Sequence, residues 1–176
     1  KYQVVYSGNG KCSLKTYLSQ PLTSIQFFGV LAQIVTHINF AQRDGLILSN
    51  LVFDPQYIFV NDSTGLEIFF LYLPLETSFA GVDVLEFIKY ILFYVQLDSS
   101  CQSDAIMNFI SFLSTLHGYD GVAIMSYIEK QEPGVVRWIK GRQISMASSG
   151  YSGSIAENEQ KISNTQYVSN AEEETT

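Results

Sequence analysis

Two histidines, two cysteines, a Gly-Asn-Gly-Lys turn and scattered carboxylates are the groups of this chain that could do chemistry, and their spacing argues against most of it. Gly8-Asn9-Gly10-Lys11 carries the glycines and lysine of a phosphate loop. A Walker loop, however, needs glycine where Val5 stands and Ser or Thr where Cys12 stands, so the stretch reads as a turn between a strand and a helix. His37 and His117 are too few for a zinc site, which wants several ligands at set intervals. His37 falls at the edge or in the interior of a long helix, and His117 in the last turn of another, where a cation suits the dipole. Cys12 and Cys101 share no framework or CxxC spacing and are expected to be reduced packing residues.

Paired carboxylates could serve as general acid and base. Asp54, Asp62, Asp83, Asp104 and Asp120, though, each stand where a turn or helix start wants an acceptor. Asp44 and Glu67 lack such a duty, and Glu67, the polar break in a hydrophobic strand, is expected to face water. No residue set for catalysis, metal binding or a cofactor emerges. Aromatic residues crowd the region from Phe53 to Tyr72, but the nearest cation is Arg43, so stacking on nucleic-acid bases is not expected and core packing is.

Elements able to position these residues follow from pattern. Tyr57 to Val60 and Leu66 to Leu73 flank Asn61-Asp62-Ser63-Thr64-Gly65 and predict a β-hairpin. Residues 2 to 6 predict a short strand, and Ser13 caps a helix through about Ser19. Thr23 and Gln26 form a capping box, after which Phe27, Phe28, Leu31, Ile34, Val35 and Ile38 place an apolar stripe on a helix ending near Ala41. Arg43-Asp44-Gly45 breaks it, and Leu46 to Phe53 leads as an extended or loop segment into the turn at Asp54-Pro55. Asp83 caps a strongly apolar helix reaching Leu97, which must be buried or an interface. Ser103 or Asp104 starts another, with Ile106, Met107, Phe109, Ile110, Leu113 and Leu116 inward and His117-Gly118 as its end. The last runs from Asp120 to about Gln131, stopped by Pro133-Gly134, and Val135 to Ile139 adds one short element.

With 176 residues, 47% of them hydrophobic, the chain can bury one sizeable core. The predicted class is α+β, mainly helical, over residues 1–142. Residues 143–176 read as a disordered acidic linker rich in Ser, Asn and Glu, with too little to bury to offset the entropy of ordering. Five glutamates against Lys161 beyond residue 150 supply most of the net charge of −7, and no basic footprint for nucleic acid exists. The longest candidate for a membrane span, Phe87 to Leu97, is short and broken by Lys89. The chain opens at Lys1 rather than Met and is expected to be a piece of something longer, which leaves open a span outside these residues.

Asp54-Pro55-Gln56-Tyr57-Ile58-Phe59-Val60, followed by Phe69-Phe70-Leu71-Tyr72-Leu73-Pro74-Leu75, resembles the bacterial domain of unknown function that precedes forkhead-associated (FHA) domains in Firmicute proteins. The resemblance covers about Tyr2 to Gln131. It implies a cytoplasmic accessory module, at most at the inner face of the membrane, joined by a polar linker to a phosphothreonine reader. The order of elements is also similar to a protein kinase C-lobe and to the pseudokinase-like cytosolic domain of type VII secretion subunits. That likeness implies a catalytic Asp near Asn50, a metal-binding Asn near Tyr57 and a metal-binding Asp near Phe70. None of the residues present can serve: an amide has no useful basicity, a phenol is a poor magnesium ligand and Phe70 offers no oxygen.

The expected function is therefore a non-catalytic protein-interaction module, needing no cofactor, of a signalling or secretion protein, with a protein partner or self-association. Its expected surface is the groove between Asn50 and Tyr57 together with Phe87, Tyr90 and Tyr94. The competing expectation is a divergent nucleotide-dependent phosphotransferase using Asp44 or Asn50 with a metal.

Overall fold

In the computed structural model the described residues are 11–61, 67–73, 81–99, 104–135 and 139, all within the unit Lys1–Lys140. The predicted strand at residues 2 to 6, the hairpin turn at 62 to 65, Cys101, Trp138 and the acidic segment from residue 143 lie outside the described residues.

The fold is α+β and mainly helical, and four of the five α-helices among the described residues begin where a side chain satisfies free amides of the first turn; the fifth, opened by Asp104, has no side-chain cap. After β1 (Cys12–Ser13), Ser13 caps α1 (Leu14–Leu18) by accepting from the Thr16 N–H. β2 (Pro21–Leu22) leads to Thr23, whose hydroxyl accepts from Gln26 N–H while the Gln26 side chain accepts from Thr23 N–H. This reciprocal pair, a contribution of about 1 kcal/mol, opens α2 (Ser24–Arg43). The helix runs two residues past the predicted Ala41, and Gly45 then takes φ +74°, where a side chain would be strained.

The hairpin forms as predicted but shorter. β3 (Phe59–Asn61) pairs antiparallel with β4 (Glu67–Phe69), Val60 opposite Ile68, and β1 adds to the other edge of β3. Glu67 does not simply face water: it is half-buried and accepts from the Asn61 amide directly opposite it. α3 (Val84–Ile91) is capped by Asp83. It ends six residues before the predicted Leu97, because a 3₁₀ turn at Leu92–Tyr94 delivers β5 (Gln96–Leu97) into a parallel pairing with β2. The Asp98 N–H then donates to the Leu22 carbonyl at 2.8 Å. A pairing partner 75 residues upstream competes successfully for a run rich in aromatic and β-branched residues, which favour strands as much as helices.

α4 (Ala105–Ser114) and α5 (Gly121–Gln131) complete the body, α5 capped by Asp120 and followed by Gly134 at φ +104°. α4 ends before His117, so that histidine lies exposed in the connection rather than in a helical turn. Of the residues expected inward on α4, Phe109 and Leu113 are fully buried, Ile106, Ile110 and Leu116 half-buried, and Met107 faces solvent. The exposed Met107 reflects a helix that touches the body along a narrower stripe than its composition suggests.

α2 is the axis of the core, with eleven buried residues, and Val135 and Ile139 pack into the same core. Among the described residues α2 is also the one helix long and apolar enough to cross a membrane by length and composition. Ser24 to Gln42 carries no charged side chain, so it is a longer candidate than Phe87 to Leu97. Its burial beneath the other elements makes it the core helix of this fold.

α5 crosses α2 closely at Gly121, where an added Cβ would fall on the Asn39 side chain, within 2.9 Å of three of its atoms. The same Asn39 oxygen accepts from the Tyr119 hydroxyl at 2.9 Å. Gly121→Ala is expected to displace that amide, break the bond and lower stability by about 1–2 kcal/mol, read as a shift of the urea midpoint.

Candidate binding groove

Leu46 to Phe53, expected as an extended or loop segment, is fixed closely by backbone bonds. A 3₁₀ turn at Leu48–Asn50 is followed by a bridge in which Leu51 stands opposite Tyr72. The Leu73 N–H donates to the Asn50 carbonyl at 2.8 Å and the Val52 N–H to the Leu71 carbonyl at 3.0 Å. This rung continues the direction set by the hairpin, because the chain leaving β4 runs through Phe70 straight into Leu71–Leu73. β4 itself is tied to α2 by the buried Gln33, whose side-chain oxygen accepts from the Ile68 N–H at 3.0 Å.

Between residues 49–54 and α3 lies a groove of about 610 Å³. Ser49 to Asp54 and Leu73 line one side, and Val82, Glu86, Phe87 and Tyr90 the other. Phe87 and Tyr90 lie three residues apart on one face of α3, the neighbour spacing of a helix surface. Phe53 packs edge-on against both Phe87, 5.1 Å between ring centres, and Phe70, at 5.7 Å. The charged lining residues are Asp54 and Glu86, both acidic. The Glu86 carboxylate meets Lys89 Nζ at 2.7 Å in an exposed pair, and the Asp54 carboxylate accepts from the Gln56 N–H at 2.8 Å. The size suits a ligand site, and the composition is apolar with few polar groups.

Three of the five sequence-predicted site residues meet here: Asn50, Phe87 and Tyr90. Phe87 is not on an exposed side of its helix as expected; its ring is buried and forms the inner wall. Tyr94 stands beside the groove rather than in its lining, its hydroxyl 2.6 Å from that of Tyr90 and its ring crossed by Lys15 Nζ at 5.2 Å. The hydrogen bond to Tyr94 chiefly raises the Tyr90 pKa, with desolvation adding to it, so the Tyr90 phenol stays neutral around pH 7. Tyr57 is exposed and does not line the groove, because the Asp54–Tyr57 turn carries it past the opening.

The kinase-like positions do not converge on the groove. Asn50 is buried in its lining and Tyr57 is outside, while Phe70 lies between the rings of Phe53 and His37. Asp44 is the exposed C-cap of α2, paired with its neighbour Arg43. Among the described residues no cluster of three or more His, Cys, Asp or Glu side chains could hold a metal ion. His37 Nδ1 sits 2.8 Å from the Gln33 carbonyl. Although one edge of the imidazole meets solvent, crowding of the rest holds its pKa below the usual histidine range and outweighs that bond.

The sequence reading leaves out Ser49, Leu73, Val82 and Glu86 as groove residues and names none of Leu51 to Asp54 singly. Glu86 alone left a signal, as an acidic residue within an otherwise apolar helix. Comparison with protein-family models, with characterised proteins and with solved structures returns no match to this chain.

Proposed function

We propose that this domain is a non-catalytic protein-interaction module and that the groove between residues 49–54 and α3 is its binding surface. The observation that carries the reading is the lining itself: aliphatic and aromatic walls, with acidic side chains as the charged groups. Such a surface desolvates apolar side chains favourably. Among the described residues, its lining offers a nucleoside triphosphate no cation and no glycine-rich run of amides. The half-exposed Tyr90 and the 84% exposed Phe93 continue the apolar surface past the groove along the same segment.

The resemblance of the hairpin region supports placing the module in a bacterial cytoplasmic signalling or secretion protein, upstream of an FHA domain. The competing reading is a divergent phosphotransferase acting through Asp44 or Asn50. Calorimetry of the full chain with ATP and magnesium separates the two. The binding-module reading expects no saturable heat. Saturable nucleotide binding that disappears in Asp44→Ala would replace it with the enzyme.

A further inference from the structure

We propose that the groove takes an extended apolar peptide, added as a β-strand to the edge of residues 51–53 with α3 as the facing wall; this rests on the binding reading above and gives its partner a form. In an antiparallel pair, successive residues turn their backbone groups to opposite sides. Asn50 and Val52 use theirs on Leu73 and Leu71, so the Leu51 carbonyl and the Phe53 N–H point the other way. Leu51 spends its own N–H on the Leu48 carbonyl. Among the described residues, the Leu51 carbonyl and the Phe53 N–H have no hydrogen-bond partner.

The lining places this edge in the groove. Side chains alternate along an extended segment, so a cavity on one face of it would be lined by every second residue. Here Ser49 through Asp54 all contribute, which sets the cavity along the edge, where main-chain groups are presented. An outward acceptor and donor two residues apart match the repeat of another extended polypeptide, the basis of strand addition. Across the groove, Phe87 and Tyr90 offer apolar contact to the side chains of such a strand. Glu86 is already met by Lys89, whereas Asp54, in the lining, meets no cation among the described residues and accepts from the Gln56 amide, so a Lys or Arg beside the peptide's apolar residues completes the match.

The test uses the full chain as bait for a phage-displayed random dodecapeptide library. The selected peptide is resynthesised with each backbone nitrogen methylated in turn, and binding is followed by fluorescence polarisation. Strand addition predicts apolar residues at alternate positions and a cation nearby. N-methylation should weaken binding about tenfold or more at the amide that donates to the Leu51 carbonyl and about twofold or less at the residues on either side of it, since neighbouring amides point away from the edge. Tyr90→Ala should weaken every selected peptide, and Asp54→Asn only those carrying the cation. Anchors spaced by three and four with methylation tolerated throughout would mean a helix occupies the groove, which overturns strand addition and leaves the binding reading standing. No selected peptide, or peptides indifferent to Tyr90→Ala, would sink both.

Discussion

Phe109→Ala is expected to lower the unfolding free energy by about 3–5 kcal/mol, a large share of the roughly 5–15 kcal/mol that holds a domain together. The ring is fully buried on α4 and meets Phe27 edge-on at 6.2 Å, Phe28 at 6.4 Å and Tyr127 at 5.4 Å. Truncation removes apolar area from the core and leaves a void that three aromatic rings on two other helices cannot close without moving together. Urea unfolding reads the change as a fall in midpoint at unchanged slope. Met107 lies on the same helix and is 62% exposed, so Met107→Ala should change stability by less than about 0.5 kcal/mol. Equal losses from the two substitutions would mean that α4 packs through a different face.

Gln33→Leu is the second large effect, and it reaches the groove. Gln33 is 7% exposed in the middle of α2, and its oxygen is the acceptor for the Ile68 N–H. Leucine fills nearly the same space but leaves that amide buried without an acceptor, at a cost of about 1–3 kcal/mol. The loss is local in its consequences. β4 gives directly onto Leu71–Leu73, and those residues hold Asn50–Val52 in place. Hydrogen exchange should therefore quicken at Ile68 and Val52 before it quickens in α5, and peptide affinity at the groove should fall with it. Unchanged exchange at Ile68 would show that another group takes over the acceptor's role.

Helix starts were readable in the sequence because a cap is a local device. Ser13, Thr23 with Gln26, Asp83 and Asp120 each act on amides two or three residues away, and all four stand where the sequence puts them. The hairpin was readable for the same reason, two β-rich runs close in sequence. What depends on distant partners was not. The end of α3 is decided by Pro21–Leu22, which captures Gln96–Leu97, and nothing near Tyr94 announces it. Glu67 is drawn from water by Asn61 across the ladder, and Met107 lies about half a helical turn from the buried Phe109.

The groove was half legible. Phe87 and Tyr90 share a helix face by spacing alone, and Asn50 is singled out by the kinase-like likeness. Leu73 and Val82, by contrast, reach the groove only through the tertiary fold, and Phe53 reads in sequence as one aromatic among many. Tyr57 enters the expected surface through the kinase-like likeness, and the turn at Asp54 carries it away from the groove.

The most direct measurement is amide chemical-shift mapping on the full chain, titrated in parallel with MgATP and with a peptide selected on the groove. A peptide seated in the groove should move the resonances of Ser49 to Asp54 and of Glu86 to Tyr90, while MgATP should move none of them. Shifts at those residues with MgATP, or peptide shifts confined to some other surface, would contradict the binding reading.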